Sequence, residues 1–185
     1  MAAGLRMGPW IPVAVAGLIF AVWSHHLQDA RTLLHVSAKS LLATLLLTAL
    51  MLACTYGGYA LLHGVPFVGA AVDGLYAWAG AMGPLQWVLL PLVMACEEVM
   101  WRGALLTSLT ERHGAVRGVV FCALLYAVAH VGSLEPVLVG VALLCGLGWG
   151  ALRIFSKSVL ASYVCHALWD LSILLWFPLV HVPPP

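Results

Sequence analysis

Two adjacent carboxylates, Glu97 and Glu98, lie in an apolar stretch, with Arg102 four residues after the second. A later apolar stretch carries His130 with Tyr126 four residues before it, and a third carries His166 with Asp170 four residues after it. Ionisable groups within segments of membrane-spanning length are costly and mark a functional site by default. On a helix, a spacing of four puts two side chains on one face. Glu98 and Arg102 therefore suit an ion pair that offsets part of its own burial cost. Asp170 is placed to orient His166 or to help hold a substrate carbonyl. Glu97 projects about 100° around the helix from Glu98 and has no same-helix partner, so it needs one from another helix. His130 and His166 are the candidates. A carboxylate facing imidazoles in a largely dry cavity can hold and activate a water, which is the chemistry of hydrolysis. Taken singly, each of these residues reads as a packing contact or a snorkelling side chain. Taken together they do not, because packing would use Ser, Thr or Gly at lower cost.

Two histidines with carboxylates are also zinc-type ligands, and the set would be Glu97, His130 and His166. The HExxH helix of zinc peptidases is absent, and the histidines come from different stretches, so zinc is possible but no metal or other cofactor is favoured. The five cysteines, Cys54, Cys96, Cys122, Cys145 and Cys165, show no CxxC pair or framework spacing. They read as small apolar residues in helices.

The elements that must carry these groups are membrane helices. Of the 185 residues, 63% are hydrophobic and 8% charged, against roughly 25% charged in a soluble domain. Such a chain cannot build a water-facing surface, and it has no basic stripe for nucleic acid. The expected fold is an all-α polytopic membrane bundle of about six helices, over residues 9–27, 40–63, 85–110, 115–133, 136–154 and 158–181. The first stretch has no clear cleavage site and is expected to remain a span rather than a signal peptide. Residues 64–84 are apolar but broken by glycines and by Asp73, and are expected to form an interfacial or re-entrant helix. The division is then 1–84, two spans and the interfacial segment, and 85–185, a four-helix core holding the polar motifs, within one membrane domain.

Basic residues orient the bundle. Arg31 and Lys39, Arg112 and Arg117, and Arg153 and Lys157 fall in alternating connections. The positive-inside rule puts those three connections in the cytoplasm and both chain ends outside. Gly146 and Gly150 form a GxxxG pair, which lets another helix come close. Trp10, Trp23, Trp87 and Trp176 lie near span ends, as an aromatic belt would.

Three motifs in order, EExxxR from Glu97 to Arg102, YxxxH from Tyr126 to His130 and HxxxD from His166 to Asp170, resemble the CPBP family of CAAX-protease and bacteriocin-processing proteins, also called Abi. The resemblance covers about residues 85–180. It implies an intramembrane endopeptidase that cuts near the C-terminus of a membrane-associated or lipidated protein or peptide, by a glutamate mechanism rather than a metal-dependent one. On the family pattern Glu97 is the general base to water, His130 shares that water, and His166 with the residue at Asp170 stabilises the oxyanion. Glu98 and Arg102 hold the site's shape. Tyr126 stands where the family usually has Phe, and its hydroxyl adds a hydrogen-bonding group. Asp170 stands where prenyl-processing members usually have Asn. A carboxylate donates to an oxyanion only when protonated, so Asp170 is either neutral or serves His166. The resemblance also implies a bacterial inner membrane, with the bilayer and a membrane-associated substrate as partners. The competing readings are a non-catalytic membrane partner or immunity protein of the same family, a zinc-dependent version of the protease, and a proton-coupled carrier.

Overall fold

The computed structural model describes residues 34–180, so the predicted stretch 9–27 and Arg31 lie outside the described residues. Those described are helical, with no strand among them. Seven α-helices follow one another: α1 Ala38–Leu62, α2 Pro66–Gly80, α3 Pro84–Glu98, α4 Leu106–His113, α5 Ala115–Ala129, α6 Pro136–Ser156 and α7 Val159–Leu171. A π-helical turn, Val99–Leu105, joins α3 to α4, and a second, Ser172–Trp176, extends α7.

Local chemistry sets these boundaries. Ser37 caps α1 in a reciprocal box with Ser40, satisfying amides that a helix start leaves open. Proline occupies the first turn of α2, α3 and α6, where its missing N–H costs nothing. Ser158 accepts from the Ala161 amide and starts α7. Gly114, at φ 79°, ends α4 and lets the chain reverse into α5. The turn is tight: a Cβ at Gly118 would come within 2.8 Å of the Thr110 backbone.

Among the described residues, four helical segments are long and apolar enough to cross a membrane: Ala38–Leu62, Ala115–Ser133, Pro136–Ser156 and Val159–Trp176. The expected span over 85–110 is the continuous run Pro84–His113, which passes that test only together with α2, bent 115° from it. The polar cluster within the run lowers its apolarity. Pro91 lies inside α3, yet the departure from α geometry comes after it, within the EExxxR motif.

Side-chain contacts give the helix directions. Thr48 meets Cys165, Thr55 meets Trp169 and Tyr56 meets Phe177, so α1 and α7 run parallel. Gly150 faces Val119, and Gly146 faces Ala123 and Tyr126, so α5 and α6 run antiparallel, joined closely at the GxxxG pair. Cys122 bonds the Trp101 carbonyl and Gly118 packs on Thr110, so the run 84–113 is antiparallel to α5. It follows that Lys39, the Arg112–Arg117 turn and Lys157 share one end of the bundle. Leu62 and Pro84 both lie at the other end, so residues 63–83 leave and return on the same side. Arg153 differs from its expected place in a loop: it is buried in the last turn of α6, 7% exposed, because that turn packs into the bundle.

Candidate active site

The expected polar residues from α3, the first π turn, α5 and α7 gather in the middle of the bundle, around Glu98. Its carboxylate is fully buried, and one oxygen, Oε1, accepts two bonds: from Arg102 Nη1 at 2.9 Å and from His166 Nδ1 at 2.9 Å. The Glu98–Arg102 pair forms although the intervening turn is π-helical. His166 Nε2 faces Asp170 Oδ2 at 3.5 Å, across one turn of α7. The imidazole thus sits between two carboxylates, with both nitrogens directed at an acceptor.

His166 bonds Glu98, whereas the sequence analysis set Glu97 opposite His130 and His166. Glu97 and Glu98 point about 100° apart around their helix, and the His166 bond is made to Glu98. Glu97 instead meets α5: Tyr126 donates its hydroxyl to Glu97 Oε2 at 3.4 Å. Unlike Glu98, Glu97 is only partly buried. His130 caps α5. Its Nδ1 donates to the Tyr126 carbonyl at 2.8 Å, and its ring packs edge-on against the Tyr126 ring at 4.5 Å. Tyr126 therefore touches both Glu97 and His130.

Aromatic rings wall the cluster. The Arg102 guanidinium lies 4.6 Å from the Tyr126 ring centre and 5.1 Å from that of Trp149, a favourable placement for a cation in a dry site. Trp149 stacks on His166 with centres 3.9 Å apart and planes at 23°. The sequence reading passed over Trp149. Its signal was a tryptophan inside a span, flanked by Gly148 and Gly150, rather than at the span end where an aromatic belt belongs. The reading also missed the underpinning from α1. Thr48 donates to Cys165 Sγ at 3.3 Å, and Trp169 Nε1 donates to Thr55 at 3.0 Å, each next in sequence to His166 or Asp170. All five cysteines are free thiols.

Among the described residues no three His, Cys, Asp or Glu side chains are placed to hold one ion. His166 directs both nitrogens at carboxylates instead. What the arrangement offers is a sealed ionic core, Glu98 with Arg102 and His166, beside a second, less deeply buried carboxylate, Glu97, flanked by Tyr126 and His130.

The family model described as Type II CAAX prenyl endopeptidase Rce1-like matches residues 80–172. That range contains every one of these site residues except those of α1. No curated protein and no solved structure matches the chain.

Proposed function

Because the chain belongs to the Rce1-like family of type II CAAX prenyl endopeptidases, we propose that this integral membrane protein hydrolyses a peptide bond near the C-terminus of a membrane-associated or lipidated protein or peptide, with Glu97 activating the water. One observation supports this assignment above the others. Of the two adjacent glutamates, Glu98 is sealed and already bonded to Arg102 and His166, whereas Glu97 is partly open. That difference favours Glu97 over Glu98 as the group that meets a water.

In this reading Glu97 accepts a proton as the water oxygen attacks the scissile carbonyl carbon. His130, held against Tyr126, shares that water. The carbonyl oxygen becomes an oxyanion, which His166 Nε2–H meets on the Asp170 side of the site, where its present contact is a long 3.5 Å. Collapse breaks the C–N bond, and the proton on Glu97 passes to the departing amine. Asp170 serves His166 here, as its position across one turn supports, and does not donate to the oxyanion itself. No step uses a metal. The basic end of the bundle, with Lys39, Arg112, Arg117 and Lys157, faces the cytoplasm of a bacterial inner membrane.

Purified protein in liposomes, given a peptide ending in a farnesylated CAAX sequence, tests the reading. Cleavage should vanish in Glu97→Gln and His166→Ala and survive thorough chelation. Equal cleavage by those variants would sink the glutamate assignment, and loss on chelation with recovery on adding zinc would replace it with a metal mechanism.

A further inference from the structure

Trp149 is 1% exposed and lies on α6, which contributes no polar group to the cluster. Its ring nevertheless touches both groups that bond Glu98 Oε1: His166 by stacking at 3.9 Å and Arg102 at 5.1 Å. Two more rings support it edge-on, Tyr126 at 6.3 Å and Trp169 at 6.0 Å. The flanking glycines explain how so large a side chain fits at this depth. Gly146 and Gly150 bring α5 against α6, and Gly148 leaves room for Leu47 and Met51 of α1, so the backbones close in around the indole.

We propose that Trp149 is a positioning residue, which fixes the ring plane of His166 and the angle between His166 and Arg102 about Glu98. A hydrogen bond at Nδ1 and a long ionic contact at Nε2 leave an imidazole free to tilt about the line between them. A stacked indole removes the tilt. With the tilt removed, Nε2 stays aimed along the Asp170 side of the site, where an oxyanion would form. A side chain that merely filled volume would leave that orientation to chance.

The kinetic part rests on the proposed hydrolysis, whereas the orientation of His166 is measured without any substrate. In protein carrying isotope-labelled histidine, the His166 ring resonance is assigned by its loss in His166→Gln. Stacking on the indole should hold this resonance upfield. Trp149→Leu should release it downfield, and Trp149→Phe should release it partway. With the farnesylated CAAX peptide as probe, Trp149→Leu should lower kcat about tenfold, the size of one aromatic contact, with KM within about twofold. Trp149→Phe should recover most of that loss. A general loss of folding would instead lower the melting temperature and the active fraction. A His166 resonance that stays put in Trp149→Leu, or an unchanged kcat in an active preparation, overturns the proposal. Should the leucine variant not fold, Trp149→Phe decides by the same resonance, and no movement there overturns it. Wild-type protein that cleaves no peptide would count against the hydrolytic reading, and the resonance would still decide the role of Trp149.

Discussion

Glu98 is the residue on which the site turns, although the reaction proposed here does not touch it. A buried carboxylate bonded by an arginine and a histidine is costly to break, because removing one partner strands the other in a dry interior. Glu98→Gln should therefore cost about 3–5 kcal/mol of stability, read as a fall in melting temperature in detergent. Glu97→Gln has no buried cation to strand, and should leave the melting temperature within a degree or two while activity is lost. Reversal of that order would mean the two glutamates have exchanged roles. Tyr126→Phe removes a single 3.4 Å bond to Glu97, and its effect on cleavage should stay within about threefold. These residues were legible as a set, because charge is so scarce in this chain that each ionisable group in a span could be weighed by itself. Their pairing was less legible. Helical spacing separates Glu97 from Glu98, but which neighbour approaches which side is decided by packing between helices distant in sequence.

The helices show the same division. The spans over 40–63, 115–133, 136–154 and 158–181 correspond to α1, α5, α6 and α7 with its π-helical extension. Long apolar runs bounded by Pro, Ser and Gly carry that information locally. The π turn at Val99–Leu105 carries no such mark; Pro91 was the visible irregularity, and the backbone changes elsewhere. The support from α1 was equally hidden, since nothing in the run of Ser40, Thr44, Thr48 and Thr55 says that α7 will lie along it. All but Thr55 are buried. Thr55→Val should leave the Trp169 N–H without an acceptor and cost about 1 kcal/mol. Because Trp169 adjoins Asp170, cleavage should fall with it, whereas Thr44→Val, bonded only within its own helix, should leave cleavage unchanged. Equal effects of the two would show that α1 contributes bulk and not positioning.

Among the described residues, Lys39, Arg112, Arg117 and Lys157 gather at one end of the bundle, which the alternation of Lys and Arg along the chain anticipated and the helix directions bring about. Residues 63–83 complete that geometry by beginning and ending at the opposite end. Reporter fusions after Arg117 and after Lys157 should report the same compartment, and one inserted after Leu134 the other. A report from the same side at all three positions would refute the orientation. Arg153 should not be counted in that charge balance, since it is buried within the bundle.

At the non-basic end, one hydroxyl ties two segments together. Tyr76 of α2 donates to the Ile173 carbonyl and accepts from the Leu179 amide, where the last helix has widened into a π turn and come to its end. The side chain thus does for the chain what another turn of helix would have done, and does it from a segment about a hundred residues earlier. Fraying of the final helix and lifting of α2 are consequently a single event. In Tyr76→Phe, amide exchange should quicken in residues 66–80 and 172–180 at one common rate; two separate rates would show the segments to be independent. A latch of this kind makes the rim of the bundle open as a unit or stay shut.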